Sequence, residues 1–247
     1  MAYEALLAET VLMRGHQGDQ IDAYLARPFG GGPYPGVVVI HHMPGWDGPT
    51  KEIARRFAHH GYVAISPNLH FREGKATPEE NSASVRAAGG MPDDRTMGDL
   101  QGAIDYLRAL PYLGKKVGII GYCSGGRQCY LAACTLRGLD AAIDCYGGGV
   151  VAKQEDLTAR QPVAPIDFTR DLQIPLLGLF GIEDQRPSPD DVAKTEAALK
   201  EHGKNYEFHT YENAGHAFFA VDRPQYRQHA AVDGWKKVLA WFGQHLA

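Results

Sequence analysis

The stretch Gly118-Ile119-Ile120-Gly121-Tyr122-Cys123-Ser124-Gly125-Gly126 constrains this chain more than any other. An apolar run leads into G-x-C-x-G-G without a loop, and helix-forming sequence follows at once. That order reads as a sharp strand-to-helix turn with Cys123 at its tip. The tip residue of such a turn is held in a strained backbone conformation. Side chains at the flanking positions would collide with the neighbouring strand and helix, which accounts for Gly121 and Gly125. The following helix aims its positive end at the tip and so favours a thiolate there. Cys123 is therefore the candidate nucleophile, and Ser124 stands one residue past the tip.

The rest of the chain supplies a sheet for this turn to sit on. Glu9 to Arg27 alternates weakly around Gln17-Gly18-Asp19 and reads as a hairpin at a sheet edge. Val37-Val38-Val39-Ile40 is continuously apolar and β-branched, the pattern of a strand buried on both faces. A helix capped by Thr50, with Ile53, Phe57 and Ala58 on one face, precedes a strand at Tyr62 to Ile65 and completes a βαβ unit. Leu100, Ala103, Ile104, Leu107 and Leu110 mark another helix before the strand Lys116 to Ile120. Strands follow near Ala141 to Tyr146, Ile174 to Phe180 and Tyr206 to Tyr211. Ser188-Pro189-Asp190-Asp191 opens a capped helix, and Val232, Trp235, Leu239 and Phe242 form the stripe of a closing one. The expected architecture is α/β: a mostly parallel, doubly wound sheet flanked by helices, in a single domain over 1–247. Pro67 to Asp94 and Gly147 to Arg170 are too long for simple turns, which makes them candidate substrate-contacting segments.

Composition narrows the function classes. The 247 residues carry a formal net charge of −4, which offers no general attraction for nucleic acid or anionic lipid. The amino-terminal stretch has Glu4 and Glu9, no basic start and no uninterrupted apolar core, so it does not read as a signal peptide. No segment approaches the roughly 20 apolar residues of a membrane helix. Cys123, Cys129, Cys134 and Cys145 show neither a CxxC pair nor zinc-site spacing, and reduced thiols in a cytoplasm are expected. Adjacent His41 and His42 point in opposite directions on extended chain, so no metal site is expected there.

The elbow and the element order resemble the dienelactone hydrolase family of α/β hydrolases, in which G-x-C-x-G-G replaces the commoner G-x-S-x-G. The resemblance implies a Cys-His-Asp triad in the chain order nucleophile, acid, histidine. An acid just past a late parallel strand reaches the sheet edge that carries Cys123. Asp184 fits, with Glu183 as the alternative one residue away. His216, after Gly215 in the loop beyond the last strand, fits the base. Backbone N–H groups of Ser124 and Met43 occupy the positions of the family's oxyanion hole.

The chain also departs from the family. Family members carry a glutamate just before the oxyanion donor, which helps activate the cysteine, and this sequence has His42 there. His42 is accordingly a candidate auxiliary base or a support for the catalytic groups. Where the family places a substrate-holding arginine beyond the histidine, this chain reads His216-Ala217-Phe218-Phe219-Ala220. Arg72 or Arg86 in the first long connection are the remaining candidates, and Trp46 is either pocket wall or loop packing. The expected activity is hydrolysis of a small ester or lactone, a dienelactone or a more apolar relative, without cofactor, by a monomer or homodimer. The competing readings are a thiol redox or stress protein and a catalytically silent ligand-binding hydrolase fold.

Overall fold

A computed structural model describes residues 5–74 and 76–247. Glu4 therefore lies outside the described residues. Eight strands form one sheet in the order β1-β2-β4-β3-β5-β6-β7-β8: β1 (Leu6–Arg14), β2 (Gln20–Pro28), β3 (Tyr34–Ile40), β4 (Val63–Pro67), β5 (Leu113–Tyr122), β6 (Ala141–Cys145), β7 (Leu176–Gly181) and β8 (Tyr206–Tyr211). The pairs β1·β2 and β2·β4 are antiparallel and the rest are parallel. The expected hairpin occupies the edge, and the sheet is mostly parallel as its apolar runs require.

The pleat explains why the central strands read as unbroken apolar runs. On β3, Val38 and Ile40 join one core with Leu100, Ile104 and Leu107 of α3 (Asp93–Arg108) and Cys129 of α4 (Ser124–Thr135). Val37 and Val39 point the other way, into a core with Phe57 of α1 (Gly48–His59) and Val238 and Phe242 of α6 (Gln228–His245). Alternate residues thus face opposite layers, and both layers are covered.

Three local readings change. Helix α1 begins at Gly48 because the Asp47 carboxylate, not Thr50, is its cap, accepting from the Thr50 N–H at 3.0 Å. The connection after Pro67 holds a helix of its own, α2 (Pro78–Ala87), with a reciprocal cap between Thr77 and Glu80. Val232, expected in the buried stripe of α6, is 47% exposed; Ala231, Val238, Trp241 and Phe242 carry the buried face. Helix α5 (Pro189–Glu201) starts at the Ser188 cap read from the sequence.

Candidate active site

Every loop that brings chemistry together follows the carboxyl end of a parallel strand, so all of them open on one edge of the sheet. Cys123 directly follows β5, at the N-cap of α4, with φ 57° and ψ −120°, a conformation that L residues rarely adopt. A Cβ at Gly121 would overlap the carbonyl of Gly125, and one at Gly125 would lie 2.7 Å from the carbonyls of Ile40 and His41. The tip is strained because strand, helix and neighbouring loop close on it from three sides.

His216, in the loop after β8, places its Nδ1 2.8 Å from Oδ2 of Asp184 in the loop after β7. Asp184 is 2% exposed and its other oxygen accepts from the Arg186 N–H at 2.9 Å, whereas Glu183 faces solvent. The geometry thus pairs His216 with Asp184 and leaves Glu183 outside the cluster.

Burial pushes the Cys123 thiol up. The hydrogen bond and charge of His216, with the backbone N–H groups of Ser124 and Met43, outweigh it and hold the thiol below its ordinary value. Burial pulls His216 down, but its bonds to Asp184 and Cys123 carry it up to about 10. Both shifts run in the direction that favours a thiolate beside an imidazolium.

The loop after β3 carries a second histidine and carboxylate in contact. Nε2 of His42 lies 2.6 Å from Oδ2 of Asp47. Burial raises Asp47, but the bond and charge of His42 and the N–H of Thr50 take it down to about 2. The buried His41 donates from Nδ1 to the His42 carbonyl at 2.8 Å and meets His70 edge to face. Among the described residues, no three His, Cys, Asp or Glu side chains are arranged to share a metal ion, and no helix is long and apolar enough to cross a membrane.

A cavity beside the cluster is lined by His42, residues of α1, Tyr122, Tyr146, Phe219 and Trp235. No described residue of the two long connections lines it. Trp46 does not reach it either: its Nε1 donates to the Ser66 carbonyl at 2.9 Å and Lys51 covers its face. Arg72 forks onto Asp99 at 2.8 and 3.0 Å and bonds Asp19 at 2.8 Å. It pins the β1–β2 hairpin to α3, and its guanidinium is already matched by two carboxylates. Arg86 bonds Ser82 on its own helix. The expectation that Arg72 or Arg86 grips substrate therefore has no counterpart in these contacts.

Tyr146 was not singled out in the sequence. It directly follows β6, the strand beside the elbow, at φ 44°, and its ring meets that of His216 at 5.2 Å. Its place before Gly147-Gly148-Gly149, at the carboxyl end of a strand next to the elbow, is the signal that could have found it. Behind the elbow, burial pushes the Asp144 carboxyl up to about 7 against a single N–H from Gly147. Cys129 and Cys145 are buried in the cores, which pushes both thiols well above their ordinary value.

A mostly parallel sheet of this strand order, with the elbow after β5, the acid after β7 and the histidine after β8, defines an α/β-hydrolase fold. Residues 21–246 match the dienelactone hydrolase family, and the chain belongs to that family of hydrolases. It is 36% identical over 232 residues to "Putative carboxymethylenebutenolidase" of Yersinia pestis, covering 93% of this chain and 85% of that one. It is 31% identical over 250 residues to "Probable 2-oxo-3-(5-oxofuran-2-ylidene)propanoate lactonase" of a Bradyrhizobium species, covering 100% and 98%. The crystal structure described as "Putative Dienelactone Hydrolase" of Klebsiella pneumoniae superposes with a TM-score of 0.88 at 32% identity, covering 98% of this chain and all of that one.

Proposed function

We propose that this protein hydrolyses small carboxylic esters or lactones through Cys123, His216 and Asp184. The thiolate of Cys123 attacks the substrate carbonyl carbon, and a carbon–sulfur bond forms as the carbonyl electrons move to oxygen. The N–H groups of Ser124 and Met43 receive that oxyanion; losing one such donor typically costs about 10²–10³ in rate. The tetrahedral centre collapses, the carbon–oxygen bond breaks, and the departing alkoxide takes its proton from His216. A water that gives a proton back to His216 then attacks the thioester, and the thiolate leaves. The products are a carboxylic acid and an alcohol, joined in one molecule when the substrate is a lactone. Side chains and backbone suffice for every step, with no cofactor.

The observation that carries this reading is the 2.8 Å bond between His216 and the buried Asp184, in loops on the sheet edge where Cys123 stands at φ 57°. Family membership and a relative named as a lactonase agree with it. His42, held by Asp47 in the loop that supplies Met43, serves as a positioning group for that donor. The test is turnover of an ester and lactone panel by wild type, Cys123→Ala and Cys123→Ser. Cys123→Ala is expected to be inactive and Cys123→Ser weakly active, because a hydroxyl needs more help from the base than a thiol does. Full turnover by Cys123→Ala would overturn the assignment.

A further inference from the structure

The cavity beside the cluster has a volume of about 190 Å³ and is walled by Tyr122, Tyr146, Phe219, Trp235 and Ile53. Cavities of about 150 Å³ with apolar walls hold a benzene molecule, so this one suits a single six-membered ring.

Its walls are rings held in place by other rings. Phe219 meets Tyr122 edge to face at 5.7 Å and Trp235 at 5.9 Å, and the Arg56 guanidinium lies on Trp235 at 4.6 Å. Such a surface offers faces and edges to an aromatic guest without reorganising. Three charged or titratable side chains also line it: Glu52 is bound by Arg55 at 2.7 Å, His42 by Asp47 at 2.6 Å, and the Arg56 guanidinium rests on the Trp235 ring. Tyr146 joins the cavity to the reacting centre, with its ring 5.2 Å from His216 and 6.2 Å from Phe219.

We infer that the cavity receives an uncharged aromatic or comparably sized apolar ring carried by the substrate, so that ring-bearing esters or lactones are preferred over those with methyl or ethyl groups. The preference for ester or lactone turnover rests on the proposed function; the binding of a ring does not. The ring could sit on either the acyl or the alcohol side of the scissile bond.

The test uses two variants of the full chain. Gly48 lines the cavity, and a Cβ there meets no atom within 4 Å, so Gly48→Leu adds bulk at a place with room for it. Trp235→Ala removes a wall. Phenyl acetate against ethyl acetate places the ring on the alcohol side, and methyl benzoate against methyl acetate places it on the acyl side. Differences in intrinsic reactivity cancel when each variant's ratio of kcat/KM values is divided by that of wild type. The expected result is a loss of at least about tenfold in one of the two ratios in both variants, and the affected ratio identifies the side. Unchanged ratios in both would overturn the inference.

A binding experiment separates this inference from the nucleophile assignment. Titration with 4-nitrobenzyl alcohol, read by quenching of tryptophan fluorescence, is expected to saturate with the same Kd in wild type and Cys123→Ala, and to weaken at least about tenfold in Gly48→Leu. Absence of saturable binding, or equal binding by Gly48→Leu, would overturn the cavity assignment even if Cys123 proves to be the nucleophile. Saturable binding lost in Gly48→Leu would sustain ring binding even if Cys123→Ala proves active.

Discussion

His216 and Asp184, 32 residues apart in two different loops, meet through a 2.8 Å bond between Nδ1 and Oδ2. The carboxylate is buried and its second oxygen is occupied by a backbone N–H, so the ring has one orientation available. Asp184→Asn keeps the shape but removes the charge that supports the imidazolium. The kcat on a reactive ester should fall by roughly 10²–10⁴, measured by steady-state kinetics. A loss below tenfold would remove Asp184 from the reaction.

The pH dependence of thiol alkylation reports the pairing directly. Since Cys123 is held below its ordinary value, iodoacetamide should modify it faster at neutral pH than it does an unperturbed thiol. The rate should drop as pH falls through the lowered value. On the alkaline side the imidazolium gives up its proton near pH 10. In His216→Ala burial remains while the hydrogen bond and charge of the imidazolium are gone, so the midpoint should move upward. An unmoved midpoint would show that His216 is not what lowers it.

Asp47 links folding to acid. Its carboxyl is depressed from 3.8 to about 2 in the folded chain. Its contribution is therefore complete above the unfolded value and is lost as pH falls through the folded one. Between about pH 4 and 2 wild type should lose on the order of 2 kcal/mol relative to Asp47→Asn, which can still cap α1 but carries no charge. Urea unfolding at several pH values measures this, and parallel curves for the two proteins would refute it.

Arg127 of α4 forks onto Asp93 at the start of α3, at 2.6 and 3.0 Å, and also donates to the Val163 carbonyl at 2.9 Å. Both partners are buried. Arg127→Met strands a carboxylate in the interior, and unfolding free energy should fall by about 3–5 kcal/mol. Adding Asp93→Leu should recover part of that loss, because the stranded charge is removed. Denaturant titration of the two variants decides it, and a double variant less stable than Arg127→Met alone would contradict the account.

The features legible in the chain itself are those whose cause is local. Continuous apolar β-branched runs announced the buried strands, and Ser188-Pro189 announced the start of α5, because pleat, periodicity and capping act over a few residues. The glycines around Cys123 were readable for the same reason, since backbone sterics at a sharp turn leave no alternative there. Tertiary structure decided everything that depends on which distant groups arrive together. Asp184 and Glu183 follow the same strand, and only the path of the chain after β7 turns one inward and the other to solvent. Arg72 looked free until Asp99 and Asp19 were folded against it, and Trp46 until the Ser66 carbonyl claimed its N–H. The aromatic cavity draws its walls from α1, β5, Tyr146, the loop after His216 and α6. No sequence window contains it, because packing is set by distance in space and not by distance along the chain.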